Sequence, residues 1–347
     1  MTETILRKTG RAGHITLNRP KALNALTWDM CSAIEAALDD WHDDPDVALI
    51  IIDGAGDRAF CAGGDIAEMY AAGQRGDLDY GRRFWRDEYR LNAMIYDYPK
   101  PIVTFLHGFT MGGGVGVGCH ARHRIVCENS QIAMPECSIG LVPDVGGSLI
   151  LAKAPGHVGE FLGLSGDRMD ASDAIYVGFA NHFVPQDAWD ALKQQLITTG
   201  DTTVIDAANQ SPPSARLAAW QEEIDGCFAG TSLSDIYRAM PTASGPAIAH
   251  VRKLMDSNAP LAMAVAVKII QAARLDQQIT SALDREFRYT YRCVAQGDFI
   301  EGIRAAIIDR DRAPKWQHES WGAVTEEDVA QMTADLGKDA LRWKEDT

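Results

Sequence analysis

FLHGFTMGGGVGVGCHARHRIVCENSQIAMPECSIGLVPDVGG, residues 105–147, joins a glycine run to two isolated carboxylates, Glu136 and Asp144. The residues that lead into it, 101–106 (PIVTFL), are a short apolar run typical of a buried strand. Glycines after such a strand let the backbone approach a ligand, and the first amides of a following helix have no partner within that helix. We therefore expect these amides to stabilise a developing negative charge, and we expect the two carboxylates, set among apolar residues, to be activated.

Each of these features also has a purely structural interpretation. Glycine runs often mark close packing, and an Asp that follows Pro often only shapes a turn. A dinucleotide-binding pattern starting at Gly116 would have to follow its strand directly, but ten residues separate Gly116 from Leu106. His120 and His123 have no carboxylate or thiolate set that would complete a metal site. The sequence therefore predicts neither a dinucleotide nor a metal.

Composition narrows the classes of partner. The 347 residues include 48 acidic and 33 basic side chains, a net charge of −15, which argues against nucleic acid or an anionic membrane as the partner. No stretch approaches the roughly 18 uninterrupted apolar residues of a membrane span. The seven cysteines show no C-x-x-C spacing, as expected of reduced, mostly buried thiols. We expect a cytoplasmic protein in which any anionic ligand meets a local basic patch.

The periodicity of the chain predicts an α/β fold. Residues 5–7 and 14–17 form a candidate antiparallel strand pair, and the continuous apolar run at residues 47–52 is typical of a strand covered on both faces. Thr27 is a candidate N-cap for a helix with one apolar face. A second helix over residues 82–96 carries an apolar stripe. Strands and helices alternate to about residue 150, which indicates β-α-β units and a mainly parallel sheet.

The second half of the chain changes character. A short last strand is expected at residues 182–184, and the patterns from residue 186 onward are almost entirely helical. The segment SPPS at residues 211–214 is the candidate boundary. We predict a core containing the active site over residues 1–210 and a helical C-terminal region over residues 211–347, whose acidic end forms a surface helix.

The order of motifs resembles a known superfamily. The apolar strand, H-G-x-x-x-G-G-G, M-P-E and I-G-L-x-P-D-x-G-G follow one another as in the crotonase (enoyl-CoA hydratase/isomerase) superfamily, and AFCAGGDI at residues 59–66 is similar to its A-F-x-A-G-x-D-I element. The PDVGG version and QGDFIEGIRAAIIDRDRAPKW at residues 296–316 resemble the 3-hydroxyisobutyryl-CoA hydrolase branch. The resemblance extends from about residue 5 to Trp316. It implies a crotonase fold, a ββα spiral core followed by a helical C-terminal region.

The resemblance also implies site residues for an acyl-CoA thioester. Two backbone amides, of Gly64 and Gly113, would form the oxyanion hole that binds the thioester oxygen as it gains charge. Lys21 would supply positive charge for the CoA phosphates. The residues implied to contact CoA lie in two loops: Lys21, Ala22, Leu23, Ala62, Gly63, Gly64, Asp65 and Ile66.

The positions of the carboxylates distinguish the chemistries of the superfamily. The hydratase pattern pairs the MPE glutamate with a second glutamate shortly after the glycine run, where this chain has Gly116. Asp144 stands instead at a position that the hydrolase branch fills with a carboxylate. The resemblance implies that Glu136 attacks the thioester carbonyl, giving a transient anhydride, or activates water. Asp144 would orient Glu136 or handle the proton. Glu88 would contact the polar acyl end or support the pair, unless it is merely solvated at the edge of its stripe.

The implied activity is hydrolysis of (S)-3-hydroxyisobutyryl-CoA, an intermediate of valine breakdown, and of related short 3-hydroxyacyl-CoA esters to the free acid and CoA. Because the leaving group is a thiolate, no metal or redox cofactor is required. Two alternatives stay open. A hydratase or isomerase of the same fold would alter the acyl group and release no thiol, and a non-catalytic acyl-CoA-binding protein would do neither.

Overall fold

The computed structural model describes residues 2–240 and 245–343, which form two compact units. The first, here called the sheet unit, is drawn from Met1–Gly64, Arg90–Ala133 and Arg168–Ala215. The second, the helical unit, is drawn from Asp65–Tyr89, Met134–Asp167 and Arg216–Thr347. The chain therefore passes between the units several times before residue 216. The division at residues 210 and 211 that the composition suggested stays a prediction.

The sheet unit holds all the strands found among the described residues. They are β1 (Thr4–Thr9), β2 (Ala12–Leu17), β3 (Leu49–Gly54), β4 (Ala59–Cys61), β5 (Ile102–Phe105), β6 (Phe109–Met111), β7 (His123–Val126), β8 (Gln131–Ala133) and β9 (His182–Phe183). A six-stranded sheet has the order β1-β2-β3-β5-β7-β9, and a three-stranded sheet has the order β4-β6-β8. Among the strands that the structure describes, β1 and β2 pair antiparallel and every other pairing is parallel. The predicted opening pair and the mainly parallel sheet are both confirmed.

The helices of the described residues follow the predicted shift from alternating to helical structure. They are α1 (Trp28–His42), α2 (Ile66–Gln74), α3 (Leu78–Asp97), α4 (Gly113–Gly118), α5 (Gly147–Lys153), α6 (Val158–Ser165), α7 (Ala171–Val177), α8 (Trp189–Thr199), α9 (Val204–Ala208), α10 (Arg216–Phe228), α11 (Leu233–Ala239), α12 (Pro246–Met255), α13 (Pro260–Asp276), α14 (Ile279–Gln296), α15 (Phe299–Ile303) and α16 (Glu326–Thr333). A π-helical turn, Arg304–Ile308, follows α15. None of the described helices is long and apolar enough to cross a membrane.

Both faces of the larger sheet are covered, as the apolar run of β3 predicts. Leu49 and Ile51 join a buried cluster with Trp189 and Leu192 of α8. Side chains alternate along a strand, so Ile50 and Ile52, which are equally buried, face the opposite side. The helix α1 begins where Thr27 was predicted to cap it: the Thr27 side chain accepts a hydrogen bond from the Met30 amide.

The helical unit is organised around the apolar helix α13, which packs against α5 and α6. All seven cysteines of the chain are buried and none is in a disulfide, which agrees with the expectation of buried thiols. Near the C-terminus, α16 begins with a capping box between Thr325 and Asp328 and exposes most of its acidic residues. The predicted surface helix in the acidic tail is confirmed.

The glycine run packs closely against the neighbouring backbone. A Cβ atom placed on Gly114 would lie 2.3 Å from the carbonyl oxygen of Cys61, so the first turn of α4 rests directly on the backbone that ends β4. By contrast, a Cβ on Gly226, inside α10, would meet nothing within 4 Å. The two positions differ in packing, so the same substitution has opposite effects at each.

We expect Gly114→Ala to lower the melting temperature by several degrees, because the backbone of α4 must move to admit the methyl group; overpacking of this kind costs about 1–3 kcal/mol. Gly226→Ala should raise the melting temperature slightly, since alanine restricts the unfolded chain and favours a helix by up to about 1 kcal/mol. Thermal unfolding followed by circular dichroism measures both. Equal effects of the two substitutions would contradict the close contact at Gly114.

Candidate active site

Gly64 and Gly113 lie in the sheet unit at the ends of neighbouring strands. Gly64 follows β4 and Gly113 follows β6, and these two strands pair in parallel, so their carboxyl ends emerge at the same sheet edge. Gly63 adopts a φ of 119°, and a Cβ there would lie 3.5 Å from the Met111 carbonyl oxygen, which places the two glycine loops in contact. Among the described residues, neither the Gly64 nor the Gly113 amide donates to a backbone carbonyl. Both amides are therefore available to an external acceptor.

The predicted CoA-contacting loops are hydrogen-bonded neighbours. The Ala62 amide donates to the Leu23 carbonyl at 3.0 Å, and the Leu26 amide donates to the Gly63 carbonyl at 2.9 Å. Leu23 itself has a φ of 53°, in the left-handed region. Lys21 is exposed within the turn Pro20–Ala22, so its ammonium group is accessible.

Two further predicted contact residues begin the next element. Asp65 is the N-cap residue of α2, and Ile66 is its first residue. They continue directly from the Ala62–Gly64 loop, but they belong to the helical unit.

Glu136 opens a short 3₁₀ turn, Glu136–Ile139, that ends at Gly140 in the left-handed region with a φ of 73°. The glutamate side chain is 4% exposed, and its Oε2 atom has no hydrogen-bond partner among the described residues. Burial, followed by the charge of Asp144, raises the pKa of Glu136 well above its usual value. A buried carboxyl oxygen without a partner is unfavourable in a native structure, and it marks where a ligand or water would bind.

Asp144 opens a tight turn in the same unit. The Gly147 amide donates to the Asp144 carbonyl at 2.7 Å, and the two residues between them, Val145 and Gly146, have φ values of 54° and 77°. The Asp144 side chain is 4% exposed and accepts a hydrogen bond from the Tyr89 hydroxyl at 2.7 Å. Burial raises the pKa of Asp144 to about 7, although the Tyr89 hydrogen bond opposes the shift by favouring the charged form.

Glu88 is buried on α3 rather than solvated at the edge of its stripe. It is 3% exposed, and its Oε1 atom has no hydrogen-bond partner among the described residues. Burial raises the pKa of Glu88 well above its usual value, and the charge of Asp144 adds to the shift. The sequence left open whether Glu88 takes part in the site or is solvated at the edge of its stripe. Its burial shows that the solvated interpretation is wrong.

A fourth carboxyl group, Glu286 of α14, completes the cluster. It is fully buried and accepts hydrogen bonds from the Gly146 amide at 2.7 Å and from the Ser148 amide at 3.1 Å. The Ser148 hydroxyl donates to the same carboxyl group in a very short contact. Burial raises the pKa of Glu286 to about 8, and these donors oppose the shift.

Sequence analysis missed Tyr89 and Glu286. Tyr89 directly follows Glu88, so the helix that carried one site residue carried another. Glu286 lies on the buried face of α14, three residues after Leu283 and seven before Cys293. This is a carboxylate on an apolar stripe, the same signal that singled out Glu88, and applying it to the C-terminal helices would have found Glu286.

The structure thus groups the predicted residues within each unit. In the sheet unit it brings the Gly64 and Gly113 amides together. In the helical unit, Glu88, Glu136 and Asp144 interact electrostatically, and the charged neighbours that raise their pKa values are other carboxyl groups. Gly116 is buried in α4, so no carboxylate occupies the position of the second glutamate in the hydratase pattern.

Comparison with known proteins gives matches over almost the whole chain. The family described as enoyl-CoA hydratase/isomerase matches residues 12–333. A mitochondrial 3-hydroxyisobutyryl-CoA hydrolase from Danio rerio is 36% identical over 353 residues, which cover 98% of this chain and 92% of that protein. The Homo sapiens protein of the same name is 34% identical over 352 residues, covering 98% of this chain and 91% of that protein.

Solved structures confirm the predicted fold. One described as an enoyl-CoA hydratase from Rhodobacter sphaeroides 2.4.1 has a TM-score of 0.95 and 51% identity, covering 99% of this chain and all of that chain. Another, described as a carnitinyl-CoA dehydratase from Mycobacterium thermoresistibile, has a TM-score of 0.94 and 37% identity, covering 99% of both chains. The names of the curated relatives and of these structures describe different reactions on acyl-CoA esters.

The raised pKa of Asp144 predicts a pH-dependent stability. Between about pH 4 and pH 7 the folded protein keeps a proton on Asp144 that the unfolded chain has lost, so this group makes folding less favourable as the pH rises through that window. The full effect is on the order of 4 kcal/mol, at about 1.4 kcal/mol per pKa unit. Asp144→Asn removes the titration while keeping an acceptor for Tyr89. We expect its melting temperature, relative to wild type, to be higher at pH 8 than at pH 5.

Thermal unfolding of both proteins at the two pH values measures this difference. Glu222→Gln, which neutralises an exposed carboxylate on α10, controls for the change in net charge. If the difference between Asp144→Asn and wild type is the same at both pH values, Asp144 is not a buried, proton-retaining carboxyl group.

Proposed function

The chain belongs to the enoyl-CoA hydratase/isomerase family, and from that membership we propose that it hydrolyses the thioester of (S)-3-hydroxyisobutyryl-CoA and related short 3-hydroxyacyl-CoA esters. The products are the free acid and CoA, which would make the reaction a step of valine catabolism. The relatives that bear the hydrolase name support the proposal.

One observation favours hydrolysis over hydration. The buried carboxyl pair is Glu136 with Asp144, whereas the second glutamate of the hydratase pattern is replaced by Gly116. Addition of water to a double bond in that pattern uses two glutamates that hold the water between them. Attack on a thioester carbonyl needs one nucleophile or base and one group that handles a proton, which is what Glu136 and Asp144 can supply.

Above about pH 7 Asp144 has lost its proton and its charge accepts the Tyr89 hydrogen bond, whereas the pKa of Glu136 is raised further, so the one proton left on the pair rests on Glu136 in the ligand-free protein. Transfer of that proton to Asp144 makes Glu136 nucleophilic. Glu136 then attacks the thioester carbonyl carbon directly or deprotonates a water that attacks it. The carbonyl oxygen becomes negative and accepts hydrogen bonds from the Gly64 and Gly113 amides, a contribution typically of 10²- to 10³-fold per donor.

Collapse of the tetrahedral species breaks the carbon–sulfur bond, and the CoA thiolate takes the proton from Asp144. In the direct route, a Glu136 anhydride remains, which water cleaves while Asp144 accepts the released proton. Either route consumes one water and regenerates both carboxyl groups. The reaction as proposed uses no metal or redox cofactor.

The remaining parts of the substrate have candidate contacts. Glu88 carries a buried carboxyl oxygen without a partner among the described residues, and we assign it to the 3-hydroxyl group of the acyl chain. The exposed Lys21 and the hydrogen-bonded loop of residues 62–64 are assigned to CoA. The expected cytoplasmic location stays a prediction, as do the absence of nucleic acid and membrane partners.

Hydration of an enoyl-CoA ester is the second candidate. The solved structure at 51% identity is described as an enoyl-CoA hydratase, and that description favours it. The two candidates differ in their product, because only hydrolysis releases free thiol.

We expect the purified protein to release thiol from (S)-3-hydroxyisobutyryl-CoA much faster than it hydrates crotonyl-CoA. Free thiol is followed with a chromogenic disulfide, and hydration is followed by the loss of enoyl absorbance. A panel of short 3-hydroxyacyl-CoA and enoyl-CoA esters under the same conditions gives the acyl preference. Rapid hydration with thiol release at background would sink the hydrolase proposal in favour of the second candidate.

Glu136→Gln should reduce kcat by at least about 10²-fold, because the amide keeps the shape of the side chain but can neither attack nor accept a proton. Substrate affinity should change little, and calorimetry with the substrate measures it on the inactive variant. Circular dichroism and melting temperature control for folding. A variant that keeps more than about a tenth of the wild-type kcat rules out this role for Glu136.

A further inference from the structure

A single side chain, Glu286, holds the backbone that follows Asp144. Its Oε2 accepts from the Gly146 amide, and its Oε1 accepts from both the amide and the hydroxyl of Ser148. Only a carboxyl group can offer two acceptor oxygens with this spacing. The contact joins positions 140 residues apart in the sequence. It therefore fixes a local turn from a distant helix.

The turn needs such an anchor because its backbone is strained. Val145 has a φ of 54°, and the left-handed region is unfavourable for a β-branched residue. Strained backbone of this kind persists only when surrounding contacts hold it. Val145 directly follows Asp144, so relaxation of the strain would move the Asp144 carboxyl group away from the Tyr89 hydroxyl.

The same helix, α14, also contacts the turn that carries Glu136. The Tyr289 hydroxyl donates to the Gly140 carbonyl at 3.0 Å, immediately after the 3₁₀ turn that Glu136 opens. Thr290 lies next along the helix, with its hydroxyl 3.5 Å from the Tyr89 hydroxyl. One face of α14 thus reaches the turn of Glu136, the turn of Asp144 and the tyrosine between them.

We propose that Glu286 is a positioning residue for the reaction: it binds the backbone of residues 146–148 and so keeps the Asp144 carboxyl group against Tyr89 and beside Glu136. Glu286 touches neither reacting atom in this assignment. The kinetic part of the inference rests on the proposed hydrolysis, whereas the structural part, a turn held by Glu286, stands independently of the reaction.

Glu286→Gln tests the proposal with little change in volume. Glutamine has one acceptor oxygen, and its amide group would point a donor at Gly146 or at Ser148, so at least one backbone amide loses its partner. We expect kcat to fall about 10- to 100-fold with KM within about twofold, since small misplacement of a catalytic group costs factors of this size. Hydrogen exchange followed by mass spectrometry should be faster in peptides covering residues 141–150.

Glu160→Gln is the matched control. Glu160 is also fully buried, but its carboxyl group pairs with Arg274, and among the described residues it forms no hydrogen bond to the Asp144 turn. This variant should lose stability while kcat and the exchange of residues 141–150 stay as in wild type. A purely structural role for Glu286 predicts that the two variants behave alike in both measurements, which would overturn the proposal.

Three further outcomes also test the positioning role of Glu286. If Glu286→Gln keeps kcat within about threefold of wild type, the positioning role is wrong. If the wild type releases no thiol from any ester, the proposed function fails, and the exchange measurement alone then shows whether Glu286 holds the turn. If Glu286→Gln does not fold, Ser148→Ala removes only the hydroxyl donor, and unchanged kcat with unchanged exchange in that variant overturns the inference.

Discussion

Burial of Glu88, Glu136, Asp144 and Glu286, which form no ion pair among the described residues, is the constraint on which this part of the helical unit depends. Burial raises the pKa values of Glu88, Glu136, Asp144 and Glu286. Charged groups placed in an apolar interior are strongly unfavourable unless they are paired, protonated or hydrogen-bonded. The structure uses hydrogen bonds for Asp144 and Glu286, and it leaves oxygens of Glu88 and Glu136 without partners among the described residues. In the proposed function, these two groups face the substrate.

Another segment of the helical unit packs against the turn that carries Glu136. The segment of residues 296–316 that resembles the hydrolase branch packs its backbone against the turn of Glu136: a Cβ on Gly302 would lie 2.2 Å from the Ile139 carbonyl oxygen, and one on Gly140 would lie 2.6 Å from the backbone of Asp298. This explains physically why a signature so far from Glu136 in sequence belongs to the same site. Glycine is required at these positions because any side chain would separate the two backbones.

The sheet unit contributes backbone hydrogen-bond donors rather than carboxyl groups. The Gly64 and Gly113 amides are positioned by strand pairing, and no side chain is needed to place them. Backbone donors of this kind suit any reaction in which a thioester oxygen gains charge. This chain departs from the hydratase pattern described above in its carboxylates, with glycine at position 116 and a carboxylate at Asp144.

The sequence by itself determined the family, the mainly parallel sheet, the glycine loops and the setting of Glu136 and Asp144 in apolar segments, because these depend on local motifs and on short-range periodicity. Thr27 as a helix cap and the buried run of β3 are examples in which neighbouring residues suffice. Only the tertiary structure decided that Glu88 is buried, that Tyr89 donates to Asp144, and that Glu286 binds the following turn. Those facts depend on contacts between residues 55 and 140 positions apart, and no local pattern encodes which distant helix supplies the partner.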